Sequence, residues 1–209
     1  MKTKQVFLAV LLCVVLPAMN VFSQTAKTVP VQLSVALSNG NVTLTARGDN
    51  YSSGMGAVVG TLRNNTSVEL NINVSITEGL YLRNTGAGQN MVATGVFLKG
   101  GRFSRIGANR FIKVSAGANV EIEIEAFCAD MDRANPASTE SFSTEAIPSA
   151  IVAISSSISR YIADNFELDL TLPVQIAVWR TQGHSQAEIS AKLSFTGADW
   201  EIATTIINY

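Results

Sequence analysis

The stretch "NVEIEIEAFCAD" (119–130) alternates apolar and charged residues with a period of two. Apolar side chains stand at positions 120, 122, 124 and 126, and glutamates stand at 121, 123 and 125. A period of two is typical of a half-buried β-strand, because successive side chains point to opposite faces. The pattern predicts a strand with its glutamates and Phe127 exposed. It places Cys128 on the inward face, at the end of the strand.

The residues before this strand predict further strands. Short alternating runs follow one another from Val29 to Glu125, separated by turns rich in Gly and Asn such as "SNGN" (38–41). One run, "LNINVSI" (70–76), carries its apolar residues at every second position. Several short strands at this spacing favour a sandwich of two sheets. We therefore expect residues 24–130 to form an antiparallel β-sandwich.

The periodicity changes after this region. The segment 131–146, "MDRANPASTESFSTEA", is polar and contains Pro136, so it predicts a connecting loop. In "SAIVAISSSISRYIADNF" (149–166), isoleucines recur at the spacing of a helix, and Ser149 is a plausible N-cap. Strands followed by helices indicate an α+β fold. The expected architecture is a sandwich followed by a helical subdomain over 147–209 that packs on it.

Three further helices are predicted inside this subdomain. "LPVQIAVWRTQG" (172–183) carries a proline in its first turn and a glycine at its end, which is the usual asymmetry of helix termini. Ser185 with Glu188, and Thr196 with Asp199, are spaced as capping boxes, in which two side chains satisfy each other's backbone N–H groups. Each pair predicts the start of a helix.

The N-terminus predicts export. Lys2 and Lys4 precede the apolar run "VFLAVLLCVVLPAM" (6–19), and Val21 and Ser23 occupy the small-residue positions of a signal-peptidase site. We expect residues 1–23 to be a signal peptide and cleavage to occur before Gln24. No later segment is long and apolar enough to cross a bilayer. The predicted location is therefore secreted, periplasmic or at the cell surface, without a membrane span after cleavage.

Composition and motifs argue against several classes of function. The chain has 15 basic and 16 acidic residues, and the basic ones are scattered, so no nucleic-acid partner is predicted. No glycine-rich loop joins a strand to a helix, and no His and Cys residues cluster at metal-ligand spacing. The one histidine, His184, is not placed beside a nucleophile. The sequence predicts no enzyme, no catalytic residues, no cofactor and no metal.

Cys128 and Gln175 are unusual in this setting. Exported proteins commonly pair their cysteines, but Cys128 is the one cysteine left after the signal peptide is removed, so an internal disulfide is excluded. It is either an inert apolar side chain or a reactive thiol. Gln175 stands among apolar residues in "PVQIAVW" (173–179), in the first turn of a predicted helix. It either lies on an exposed stripe or needs hydrogen-bond partners in the interior.

These two stretches resemble the signatures of the thioester domains of bacterial surface adhesins. One signature is an aromatic residue or leucine, then Cys, an apolar residue and a polar residue, as in "FCAD" (127–130). The other is an apolar residue, Gln, a polar residue and two apolar residues, as in "VQIAV" (174–178), where Ile176 replaces the polar residue. The family also places the Cys in a β-rich part and the Gln in a helical part.

The resemblance implies a specific chemistry. Cys128 would attack the side-chain carbonyl of Gln175, ammonia would leave, and the resulting internal thioester would couple to a lysine amine of a partner. The resemblance makes Trp179 a candidate for shielding the bond from water and Asp130 a candidate for proton transfer.

Two functional interpretations follow from the sequence. The first is a secreted or cell-surface, non-catalytic β-sandwich module that binds or adheres to an unknown protein or surface ligand. The alternative is the same architecture with a Cys128–Gln175 thioester that couples covalently to amines of a partner surface. A hydrolase or another enzyme is a weaker third reading, because no nucleophile–base pair is visible.

Overall fold

A computed structural model describes residues 30–49, 54–74, 80–100, 111–145, 148–165 and 167–209. The predicted signal peptide, residues 1–23, lies outside this part of the chain. The described residues form the strands β1 (Val31–Gln32), β2 (Val42–Gly48), β3 (Gly54–Asn64), β4 (Leu70–Asn73), β5 (Leu80–Asn84), β6 (Met91–Leu98), β7 (Phe111–Val114), β8 (Asn119–Cys128) and β9 (Ser141–Glu145). They also form the helices α1 (Leu33–Ser38), α2 (Ser149–Asp164), α3 (Thr171–Thr181), α4 (Gln186–Ser190) and α5 (Gly197–Ile207).

Six strands close into an antiparallel barrel in the order β2-β3-β8-β6-β5-β9. Strand β8 lies between β3 and β6, with Ile124 opposite Val58 on one side and Val96 on the other. These three side chains are at most 2% exposed, so they belong to the apolar core. The strand predicted at 119–128 is thus a central element of the fold.

A small second sheet accompanies the barrel, in the order β1-β4-β7. Strand β1 runs parallel to β4, whereas β7 runs antiparallel to it. The alternation predicted for 70–74 is confirmed over 71–74, because Ile72 and Val74 are buried while the alternating Asn71 and Asn73 are only partly buried.

The prediction of an antiparallel β-sandwich is wrong, because the main sheet closes on itself. Closure depends on β9, which comes from the stretch expected to be a connecting loop. Phe142 in β9 stands opposite Ala46 of β2 and Asn84 of β5, so this short strand joins both edges of the sheet. A closed barrel leaves no open edge, which removes the unpaired backbone groups that a sandwich must protect. Alternating strands occur in both architectures, so the pattern alone does not separate them.

The segment 33–38 was expected to be extended, but it forms α1. Its buried residues are Leu33 and Ala36, which are three positions apart and lie on one face of a helix. Because the segment has only six residues, its pattern of apolar and polar residues also fits a short amphipathic helix.

The glutamates near the end of β8 are buried, contrary to the prediction. Glu123 is 7% exposed, Glu125 is 2% exposed, and Phe127 is 1% exposed. Helices pack against this part of the sheet, since α3 contacts β8 and α2 contacts β6. Thr94 Oγ1 donates a hydrogen bond of 3.0 Å to Glu125 Oε2, which partly compensates the buried carboxylate.

The predicted helices are confirmed. Ser185 and Glu188 form a complete capping box at the start of α4, and Thr196 and Asp199 form another at the start of α5. Ser149 is the first residue of α2 rather than its cap, a position that Pro148 takes. Gly183 follows α3 with φ of 94°, a left-handed conformation in which glycine ends a helix without strain. No helix in the described ranges is long and apolar enough to cross a membrane.

Candidate functional site

The structure brings Cys128 and Gln175 together, although 47 positions separate them. The backbone N–H of Cys128 donates a hydrogen bond of 2.8 Å to Gln175 Oε1. Gln175 Nε2 donates one of 2.8 Å back to the carbonyl oxygen of Cys128. The carboxamide of α3 is therefore held against the residue that carries the thiol, at the end of β8.

The ladder of β8 explains why Cys128 offers both backbone groups to the helix. In an antiparallel pair, successive residues direct their N–H and C=O groups to alternate sides. Ala129 N–H donates to the carbonyl of Asn90 beside β6, at 2.8 Å. Cys128, which stands opposite Met91, therefore directs its own groups to the other side of β8. There the Gln175 carboxamide supplies one acceptor and one donor, as a neighbouring strand would.

Both partners are shielded from solvent. Cys128 is 2% exposed and Gln175 is 1% exposed. All residues of α3 from 173 to 179 are buried, so this helix has no exposed stripe over these two turns. The interpretation of Gln175 as a solvent-facing side chain is thus excluded, and its hydrogen bonds to Cys128 satisfy a buried polar group.

Gln175 lies deeper in its helix than the sequence suggested. Helix α3 begins at Thr171, which makes Gln175 its fifth residue rather than a member of the first turn. The field of the helix dipole falls off within the first turn, so its effect on a charge at Gln175 is small. The electrostatics of this site come instead from the Cys128 N–H and from nearby charges.

The thiol of Cys128 is a weak acid in this environment. Burial, and secondly the negative charge of Asp130, raise its pKa to about 12, while a backbone hydrogen bond acts in the opposite direction. At neutral pH the side chain is therefore protonated. Any reaction that uses it as a nucleophile must remove the proton during the attack, because only the thiolate is competent.

Asp130 is held by the loop that precedes β6. Its Oδ2 accepts hydrogen bonds from the Asn90 backbone N–H at 2.9 Å and from Asn90 Nδ2 at 2.8 Å. Arg133 Nε lies 3.8 Å from the same oxygen. Asp130 is partly exposed and carries its charge two residues from the thiol, which accounts for its effect on the pKa of Cys128.

Trp179 lies one helical turn after Gln175 and is 4% exposed. Residues four apart share a face of a helix, so the indole lies on the side of α3 that carries the carboxamide. Within the described ranges its Nε1–H has no hydrogen-bond partner. The indole ring therefore contributes apolar surface to this side of α3 and no hydrogen bond among the described residues.

Two residues that support the site were not anticipated. Gln182 Nε2 donates to the carbonyl of Ala129 at 2.9 Å, so α3 holds the end of β8 at two successive residues. Asn90 binds Ala129 through its carbonyl and Asp130 through its amide groups. Gln175 and Gln182 are seven positions apart, which puts both on one face of the helix. This spacing could have identified Gln182 as a second residue of the site. Asn90 acts largely through its backbone, so its role in the site could not be recognised from its residue type or its position in the sequence.

No group of three or more His, Cys, Asp or Glu side chains suited to a metal ion occurs among the residues that the structure describes. Comparisons of the chain with protein-family models, curated proteins and solved structures find no match.

Proposed function

We propose that this chain is an exported module that couples covalently to amines through an internal thioester between Cys128 and Gln175. The observation that carries the proposal is the reciprocal pair of 2.8 Å hydrogen bonds that holds the Gln175 carboxamide on Cys128. The hydrogen bonds fix the carboxamide against the backbone of Cys128, and the burial of both residues separates them from water.

Formation of the bond balances without any co-reactant. The sulfur of Cys128 adds to the side-chain carbonyl carbon of Gln175 and gives a tetrahedral intermediate. The carbon–nitrogen bond then breaks, the nitrogen takes the thiol proton, and ammonia leaves. The Cys128 N–H already donates to Gln175 Oε1, the oxygen that gains negative charge in the intermediate. A donor placed in this way stabilises such an oxyanion.

The proton of the thiol is the main barrier to this step. Because the pKa of Cys128 is about 12, deprotonation must accompany attack at neutral pH. Asp130, whose charge acts on the thiol, is our candidate for accepting the proton and passing it to the departing nitrogen. The completed thioester carries no charge, so the apolar surroundings that disfavour a thiolate favour the product.

The thioester would be the reactive state of the protein. An amine of a partner attacks its carbonyl carbon, an amide forms at Gln175, and the thiol of Cys128 is released. Trp179 and the buried residues around it exclude water, which would otherwise hydrolyse the bond.

A second candidate function uses no covalent chemistry. The same hydrogen bonds satisfy two buried backbone groups of Cys128, and this alone stabilises the junction of β8 with α3. Cys128 would then be a small apolar side chain in the core, and the barrel would be a non-catalytic module that binds an unknown partner through its loops. The two candidates predict different masses for the same protein.

Intact mass spectrometry of the native mature chain tests the proposal. We expect a mass below that of the sequence by one molecule of ammonia. Methylamine treatment should add one methylamine to this species and release a thiol that an alkylating reagent can label. A chain of full mass, whose cysteine is alkylated as soon as the protein is unfolded, would contradict the thioester. Cys128 would then have a structural role only.

The pH dependence of alkylation follows from the raised pKa of Cys128. In the methylamine-treated protein, iodoacetamide should label the native thiol slowly, at a rate that rises about tenfold per pH unit across the whole range from about pH 7 to 10. A thiol with the ordinary pKa of about 8.5 would level off within that range. The control is the same protein in urea, where burial is lost and the plateau should return. A plateau near pH 9 in the native protein would contradict the raised pKa.

A further inference from the structure

The two hydrogen bonds between Gln175 and Cys128 use a single edge of the carboxamide. Oε1 accepts from the backbone N–H of Cys128, and Nε2 donates to the carbonyl oxygen of the same residue, both at 2.8 Å. The backbone N and O atoms of one residue are joined by only three bonds, so they lie less than about 4 Å apart. They can meet Oε1 and Nε2 together only along the edge where these two atoms stand side by side.

This arrangement identifies the hydrogen that Gln175 donates. Nε2 carries two hydrogens, one on the same side as Oε1 and one on the far side. The carbonyl oxygen of Cys128 lies on the Oε1 side, so it receives the first of them. In a trans amide with one substituent on its nitrogen, this position belongs to the substituent and the remaining hydrogen lies on the far side.

An amine captured by Gln175 therefore points its carbon chain at the carbonyl oxygen of Cys128. An N–C bond is about 1.46 Å long, so the carbon would stand inside the 2.8 Å gap between Nε2 and that oxygen. A cis amide would keep the gap clear, but a cis secondary amide is strongly disfavoured. In its ordinary trans form, the adduct has to give up its contacts with Cys128.

The change is confined to Gln175. Gln182, two turns later in the chain, donates from Nε2 to the carbonyl of Ala129 at 2.9 Å, and the reaction does not touch this bond. Helix α3 thus remains attached to the end of β8 while the side chain of Gln175 moves away.

The lost contacts bear on the reverse reaction. To expel a captured amine, the sulfur of Cys128 must add again to the carbonyl carbon of Gln175, and Oε1 must again take up negative charge. The backbone N–H of Cys128 stabilises that charge only while it donates to Oε1. An unsubstituted carboxamide keeps this donor, whereas a trans N-substituted amide does not. The bond to be broken is an amide in both cases, so the difference comes from the site.

We propose that the contact with the backbone of Cys128 accepts only an unsubstituted carboxamide, and that this makes the capture of a primary amine one-way. Ammonia leaves Gln175 as the thioester forms. The amine then displaces the sulfur, one of its protons passes to the sulfur, and the other stays on the new amide. The adduct is excluded from the geometry in which its amine could be expelled. This inference rests on the proposed thioester.

Ammonia and methylamine are matched probes of this selection. Each opens the thioester of the mature protein and frees the thiol, but ammonia restores the carboxamide of Gln175 and methylamine leaves an N-methyl amide. After the free amine is removed by buffer exchange, intact mass follows the return of the thioester. We expect the methylamine-treated protein to return roughly 70-fold more slowly than the ammonia-treated protein, the factor by which a cis secondary amide is disfavoured. Equal rates of return would overturn the proposal.

The backbone N–H of Cys128 gives a second readout. Cysteine labelled with nitrogen-15 marks Cys128 alone in the mature chain, because the other cysteine, Cys13, belongs to the predicted signal peptide. We expect this N–H to exchange with deuterium about tenfold faster in the methylamine-treated protein than in the ammonia-treated one, since it has lost its bond to Oε1. The same samples in urea give the unprotected rate.

The two readouts separate the selection from the thioester itself. If neither amine leaves within the experiment, the exchange rates decide, and equal exchange in the two adducts would overturn the selection while the thioester stands. A protein that reacts with neither ammonia nor methylamine has no thioester, and both proposals then fall.

Discussion

Cys128→Ser and Gln175→Ala should each abolish covalent coupling to amines and restore the full mass of the chain. The thioester needs a sulfur nucleophile from one residue and a carboxamide from the other, so removal of either leaves no electrophile. Cys128→Ser is the more informative variant, because the hydrogen bonds to Gln175 use the backbone of Cys128 and survive the substitution. Intact mass before and after methylamine treatment, together with a thermal melt, separates lost chemistry from lost folding.

Gln186→Ala is the matched control for Gln175→Ala. Gln186 is an exposed glutamine at the start of α4, and its substitution should leave both mass and coupling unchanged. Gln175→Ala also removes the two hydrogen bonds that its carboxamide makes with the buried backbone of Cys128, so we expect it to lose about 1–3 kcal/mol of stability for each bond in addition. Persistent amine coupling in the Cys128→Ser protein would show that another residue forms the bond.

Ile124→Asp should unfold the barrel. Ile124 is fully buried in β8, between β3 and β6. Loss of such a side chain alone costs about 2–5 kcal/mol, and the buried carboxylate adds a further penalty. The total is comparable with the whole stability of a domain, about 5–15 kcal/mol. Circular dichroism during urea or thermal denaturation should show an unfolded protein, or one with a greatly lowered midpoint.

Glu121→Gln on the same strand provides the comparison. Glu121 is exposed and pairs with Lys99 on the surface at 2.9 Å, so its substitution should barely move the midpoint. Similar melts for the Ile124→Asp and Glu121→Gln proteins would show that the inward and outward faces of β8 are assigned wrongly.

Local signals in the sequence predicted most of the elements but not the closure of the barrel. Patterns among neighbouring residues can be recognised directly in the sequence. Examples are the capping boxes at Ser185 and Thr196 and the alternation at 119–128. Strand β9 has the sequence "SFSTE", with one apolar side chain, and pairs with residues far away in the chain. Nothing within these five residues distinguishes it from a surface loop. The closed barrel was therefore not predicted, because the strand that closes it was taken for a loop.

The candidate site was predicted in part for a similar reason. Cys128 and Gln175 stand out because each is chemically unusual among its neighbours. Asn90 and Gln182 contribute contacts to backbone groups of a distant strand end, and asparagine and glutamine are common in turns and at helix ends. The burial of Glu123 and Glu125 comes from parts of the chain outside β8, so it could not be inferred from β8 itself.

The separation of 47 positions between Cys128 and Gln175 means that the proposed bond would close a loop of the chain. A thioester at this point would be a covalent cross-link between the end of β8 and α3. In the chain-entropy description of disulfides, closing a loop of this length stabilises the native state by about 4 kcal/mol. Capture of a partner's amine breaks the cross-link, so this protein would exchange part of its own stability for a permanent attachment. The unattached state would then be the more rigid one, and the attached state the more easily extended.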